Sequence, residues 1–190
     1  MHLVNVEIFV FNTIFVPCRI GAFMQFNIND YIFYSSGGIC QITGICNTPF
    51  KGMPDREYYV ITSVREPKET IYAPVDSDKV YMRHIMTRDE AEKLIDMIPS
   101  IEGIYEENIK LLKEKYNEAM KTYEPAQWVR ISKTIYRRAN DPSIKRRLSE
   151  TERSYGETAK KYLYGELALA LGIPESEIDG YISDRVGGIA

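Results

Sequence analysis

From residue 26 to residue 83 the apolar positions come in short, alternating runs, and from residue 87 onward they recur every three or four residues. Ile28, Ile32 and Tyr34 precede the break Ser35-Ser36-Gly37-Gly38, and Ile39, Ile42 and Ile45 follow it. Tyr and Ile suit a pleated surface, and paired glycines supply the positive φ of a tight connection. Residues 26–45 therefore predict two strands around a turn. A Pro- and Gly-containing loop spans 47–56. Three more short runs follow: EYYVITS (57–63), TIYA (70–73) and KVYMR (79–83). Four or five short strands so spaced predict a small, strongly bent sheet or partial barrel, with Pro74 limiting the ladder after TIYA.

The second half predicts helices. Thr87-Arg88-Asp89-Glu90 is a capping box opening a helix with Ala91, Leu94 and Ile95 inward, which stops before Pro99. A second helix is predicted over about 105–121, with Ile109, Leu112, Tyr116 and Ala119 at helical spacing. Pro125 opens a third, carrying Trp128, Ile131 and Ile135 on one face and ending near Pro142. Ser149-Glu150-Thr151-Glu152 is a second capping box, starting a long helix that Gly172 and Pro174 end; residues 175–182 predict a last short one. In the run YLYGELALALGIP (162–174), Leu163, Leu167 and Ala170 form a core stripe. The fold class is thus α+β: a small β module followed by a compact all-helical domain, with a frayed tail from about 185 to 190. Residues 1–23 are apolar but interrupted by Asn5, Glu7 and Asn12, too short and broken for a membrane span and unlike a signal peptide. They read either as an N-terminal extension, native or from an upstream start codon, or as an added edge strand, since Val4, Val6, Ile8 and Val10 alternate.

Charge changes the picture more than composition does. The net charge of −3 conceals a block over 126–161 with ten Lys and Arg against four Asp and Glu, inside an otherwise acidic chain. Such a block is a footprint for phosphate or another acidic surface, or else a solvated helix face. Cys18, Cys40 and Cys46 suit a reducing cytosol rather than a disulfide scaffold. Cys40 and Cys46, six apart, would share a face of a straight strand as buried free thiols. Enzymatic signatures are missing: His84 at a strand-to-helix junction has no nucleophile motif beside it, and no phosphate loop or HExxH motif occurs. No cofactor, metal, membrane or small-molecule substrate is implied.

Three stretches together, FNINDYIFYSSGGICQITGI (26–45), IYAPVDSDKVYMRHIM (71–86) and YLYGELALALGIP (162–174), resemble the CarD/CdnL family of bacterial transcription regulators. The N-terminal module of that family is shared with the RNA-polymerase-interaction domain of the transcription-repair coupling factor. The resemblance covers roughly residues 24–182. It implies a Tudor-like β module over 24–84 that docks on the RNA polymerase β subunit, partly by strand pairing, and a helical DNA-binding domain over 85–184. It also implies a bacterial, cytoplasmic, nucleoid-associated protein that modulates open-complex stability.

By position, the polymerase contacts implied are Thr70, Ile71, Tyr72 and Ala73, with Thr48 in the neighbouring loop. Relatives place arginines at the positions of Thr48 and Tyr72, and Arg65 or Arg56 would have to replace them. The resemblance implies a DNA contact at Arg153, in the first turn after the Ser149 cap, and Lys145, Arg146 and Arg147 of the basic block are further candidates for phosphate. Arg137 and Arg138 match a paired-arginine motif that either faces DNA or braces the domain. Relatives wedge a tryptophan into the minor groove; Ile109 stands at that position here and Tyr105 one turn earlier, while Trp128 reads as core. The competing function is a protein-interaction adaptor whose basic face meets an acidic protein and never DNA.

Overall fold

The computed structural model describes residues 26–77, 81–141 and 147–187. The reading of residues 1–23 lies outside them, as do Lys145 and Arg146. Five antiparallel strands, β1 (Tyr31–Tyr34), β2 (Gly38–Asn47), β3 (Glu57–Ser63), β4 (Thr70–Pro74) and β5 (Met82–His84), form one sheet in the order β4-β3-β2-β1-β5. Gly38, at φ 70°, closes the β1–β2 turn as the glycine pair predicts. Ile28 belongs to the preceding turn and not to β1: Asn29 has φ 78°, and Asp30 Oδ2 accepts from the Asn27 N–H at 2.7 Å. Pro74 is the last residue of β4, opposite Tyr58 on an edge where its missing N–H costs nothing.

The two faces of the sheet have different roles. Ile32, Tyr34, Cys40, Ile42, Tyr59, Ile61 and Ala73 close with Phe26 into the small core of the β module. Phe33 and Ile39 point the other way, into the main helical core. A register shift between Ile42 and Gly44 interrupts the alternation along β2. Cys40 and Cys46 therefore do not share a buried face as a straight strand would require: Cys40 is fully buried and Cys46 only partly. Burial pushes the Cys40 thiol from its ordinary 9.0 up to about 11. The unfolded chain loses this proton first, so the stability linked to it is whole below pH 9 and is lost as pH rises towards 11. The parent should lose more thermal stability than a Cys40→Val variant between pH 8 and pH 10.5, and iodoacetamide at pH 8 should spare Cys40 in the native state.

The helices are α1 (Arg88–Met97), α2 (Ile109–Lys121), α3 (Pro125–Asn140), α4 (Glu150–Leu171) and α5 (Ile178–Val186), with 3-10 turns at Ile98–Ser100 and Glu175–Glu177. Both capping boxes form, at Thr87 with Glu90 and at Ser149 with Glu152. Gly172 ends α4 in the left-handed region. Two boundaries differ from the sequence expectation. Asn108 caps α2, its Oδ1 accepting from the N–H groups of Lys110 and Leu111, so Tyr105 lies in the extended approach and not one helical turn before Ile109. At the other end α5 continues to Val186, because Arg185 binds Asp96 at 2.5 Å and Glu92 at 3.3 Å and ties this turn to α1. The helical core gathers Ala91, Ile95, Leu112, Tyr116, Trp128, Ile131, Leu163 and Leu167, with Phe33 and Ile39 of the sheet packed into it. Trp128 is fully buried, as its position on the apolar face predicts.

Candidate functional site

Two surfaces remain after the cores are accounted for. The first is the outer edge of β4. No described strand pairs with its free side, which leaves backbone N–H and C=O groups available to a partner strand. Within β4 the residues divide by face. Ala73 is buried in the β module and Ile71 packs against that core, whereas Thr70 is exposed and Tyr72 turns outward opposite Val60. Phe50, 58% exposed, meets Tyr72 edge-on with ring centroids 5.2 Å apart, so the 48–56 loop and the strand edge form one aromatic surface.

Thr48 is committed to its own loop. Its backbone has φ 31°, and its hydroxyl bonds Asp55 Oδ1 at 3.0 Å and Pro54 O at 3.3 Å. Arg56 reaches Asp76 at 3.1 Å and lies over the Tyr58 ring. Arg65, in the β3–β4 turn, pairs with Glu175 on the helical side of the molecule. Both arginines considered as replacements are thus already in intramolecular ion pairs. Phe50 closes the 48–50 loop that the resemblance places beside the contact strand; its signal in the sequence is a large aromatic in a Pro- and Gly-rich loop, a place that burial does not explain.

The second surface is basic, and smaller than the sequence count implies. Lys133 Nζ donates to the carbonyls of Ile98 at 2.8 Å, Pro99 at 3.3 Å and Ile101 at 2.6 Å, neutralising the end of the α1 segment. Arg130 bonds the Glu102 carbonyl and Gln127, and Lys160 pairs with Asp179 at 3.0 Å. Arg138, mostly buried, pairs at 3.2 Å with the fully buried Glu152, whose other oxygen accepts from the Ser149 N–H and hydroxyl at 2.9 and 2.8 Å. Arg138 thus has an internal carboxylate partner, the geometry that the bracing reading of the arginine pair requires. Arg147, Arg153 and Lys161 are exposed and make no ion pair among the described residues.

Arg137 lies apart from its neighbour. Its guanidinium sits 5.1 Å from the Tyr105 ring centroid and donates to the Tyr105 hydroxyl, while its Nε is 3.8 Å from Asp141. Lys115 Nζ fixes the approach to α2 by donating to the Tyr105 carbonyl at 3.3 Å and to Glu106 at 2.9 Å. Tyr105 is 64% exposed and Ile109 43%, so both can reach a partner. The structure joins Tyr105 to Arg137, a pairing of residues 32 apart that the sequence does not announce.

Two family models match the chain, one over the sheet and one over the helices. The model of the CarD-like/TRCF RID domain matches residues 26–86, and that of the CarD C-terminal domain matches residues 93–183. The chain belongs to the CarD-like family. Its N-terminal sheet is the Tudor-like RID module, and the helices complete an α+β fold. CarD-like domains make this a transcription-related protein that interacts with RNA polymerase, and the family's domains are non-catalytic transcription-factor domains. No curated protein matches the chain. Among the described residues no helix is long and apolar enough to cross a membrane, and no group of three His, Cys, Asp or Glu side chains could hold a metal ion.

Proposed function

We propose that this CarD-like protein binds the β subunit of RNA polymerase through the β4 edge and promoter DNA through its helical domain, and so shifts the balance between closed and open promoter complexes. The two working units are residues 24–84 and 85–184. The observation that carries the reading is the outer side of β4, to which no described strand is paired, flanked by Tyr72 and Phe50, in a module of the polymerase-interacting type. Strand addition at such an edge gives affinity through the backbone and specificity through outward side chains.

On DNA, Arg147 and Arg153 address phosphates, with Arg153 in the first turn of α4, where the positive helix end adds to its charge. By sequence position alone, Lys145 and Arg146 are assigned the same role. Tyr105, Ile109 and Arg137 form the contact nearest the melted region. There an exposed ring backed by a guanidinium can stack on an unpaired base without reading its identity. Arg138 acts from behind as a brace.

Titration of a duplex with the full chain and with an Arg147→Glu/Arg153→Glu variant over a range of salt concentrations separates this from the adaptor reading. The parent should bind with steeply salt-dependent affinity. The variant should bind more weakly, with a log–log salt slope shallower by about 0.9 for each phosphate that is no longer neutralised. Identical DNA behaviour of the two proteins would reject the DNA half and favour an acidic protein as the partner of this face.

A further inference from the structure

The sheet and the helices meet at a buried junction whose centre is charged. Arg83, on β5, sends all five of its N–H donors to acceptors. Nη1 donates to Glu166 Oε1 at 2.5 Å and to the His84 carbonyl at 3.1 Å, and Nη2 donates to Glu166 Oε2 at 2.8 Å. Nη2 and Nε both reach the Tyr123 carbonyl, at 3.0 and 3.3 Å. Glu166, on α4, is fully buried and also accepts from the Met86 N–H at 2.8 Å. Burial works against the Arg83 charge, but the bonds and attraction of Glu166 prevail and its pKa stands above the ordinary arginine value.

Rings surround this contact on both sides. The Arg83 guanidinium lies 5.1 Å from the Phe33 ring centroid and 5.6 Å from that of Trp128. Phe33 of β1 packs against Tyr123, Trp128 and Tyr162, while Tyr123 stacks on Tyr81 at 5.0 Å. Tyr123 holds φ 55°, uncommon for a residue with a side chain, in the α2–α3 turn. A Cβ on Gly38 would come within 3.2 Å of the Tyr162 ring, so that glycine also permits the approach of α4 to the sheet. The chain between β5 and α1 is only residues 85–87.

An arginine with every donor used cannot slide or rotate without breaking several bonds at once, and a bidentate carboxylate fixes its plane. We infer that Arg83, clasped by Glu166 and the Tyr123 carbonyl, is a positioning residue that holds the polymerase-binding edge and the DNA-binding face as one rigid body, and that this rigidity supplies the gain from binding both partners at once. The inference rests on the proposed two-partner function. Its physical basis is effective concentration: once one site is engaged, the second benefits most when the connection already holds the required span, and motion at the junction dilutes that benefit.

The test uses the full chain with Arg83→Lys and Glu166→Gln, each measured against the isolated polymerase β-subunit lobe, a promoter duplex, and the polymerase–promoter complex. Lys keeps the charge but not the fork, and Gln keeps the volume but not the charge. Each variant should bind the lobe and the duplex separately within about twofold of the parent, yet lose about tenfold or more of the affinity for the complex. Parent-like affinity for the complex would overturn the inference, whereas a parent that binds neither partner alone would instead overturn the function on which it rests. A readout independent of variant folding comes from spin labels on the parent at Glu69→Cys and Lys161→Cys, with Cys18 and Cys46 replaced by Ser. One narrow distance distribution is expected, and a broad one would overturn the inference outright.

Discussion

Replacing Tyr72 with glutamate should weaken binding to the isolated β-subunit lobe of RNA polymerase about 100-fold, or ~2.7 kcal/mol, in a pull-down or titration of the full chain. Tyr72 faces outward in the middle of β4, its ring against Phe50 and opposite Val60 of β3. A strand added to this edge would lay alternate side chains over that ring. A carboxylate there must be desolvated against an aromatic surface without a partner, which is the costly direction of the change. The fold should lose no more than about 1 kcal/mol, chiefly the edge-on ring interaction, since Tyr72 is not part of the β-module core. Ile71→Asp gives the contrast: Ile71 packs against that core, so its variant should fail through folding and not through recognition. Unchanged lobe binding by Tyr72→Glu would move the interface off β4, with the 48–56 loop the next place to look.

How far the sequence discloses this arrangement depends on how far each interaction reaches along the chain. The caps at Thr87 and Ser149 involve residues three apart, and the β1–β2 turn needs only its own glycines; all are legible. The stripe of Leu163 and Leu167 follows from helical spacing. Glu166 stands beside that stripe and is buried with it, yet its meaning depends on Arg83, 83 residues earlier. A lone carboxylate in an apolar run is the available signal, because burying it without a cation would be prohibitive. Glu152 is subtler: the capping box accounts for it fully at the local level, and that explanation hides its second role opposite Arg138. Cys46 escapes for a geometric reason, since one bulge resets the alternation on which face assignments rest. The count of ten cations in 126–161 is correct, but charge alone does not say which side chains are spent inside the protein.

Removing that second role leads to the other large effect. Arg138→Ala should destabilise the protein, by up to about 3–5 kcal/mol in chemical denaturation followed by Trp128 fluorescence, because it removes the cation that lies 3.2 Å from the fully buried Glu152 carboxylate. The damage falls where α3 hands over to α4, the segment that presents Arg147 and Arg153. The variant should therefore also bind DNA poorly, an outcome easily mistaken for the removal of a phosphate-binding side chain. A double variant, Arg138→Met/Glu152→Met, removes both charges at similar volume and should recover most of the stability, short of about 1 kcal/mol for the Ser149 cap. If Arg138 is a brace, duplex binding returns with the fold in the double variant, while Arg153→Glu stays defective in a fully stable protein. If duplex binding stays weak after stability is restored, Arg138 touches DNA itself. The buried pair is then a resting partner that the phosphate displaces, and Glu152 becomes the group whose charge that exchange must leave behind.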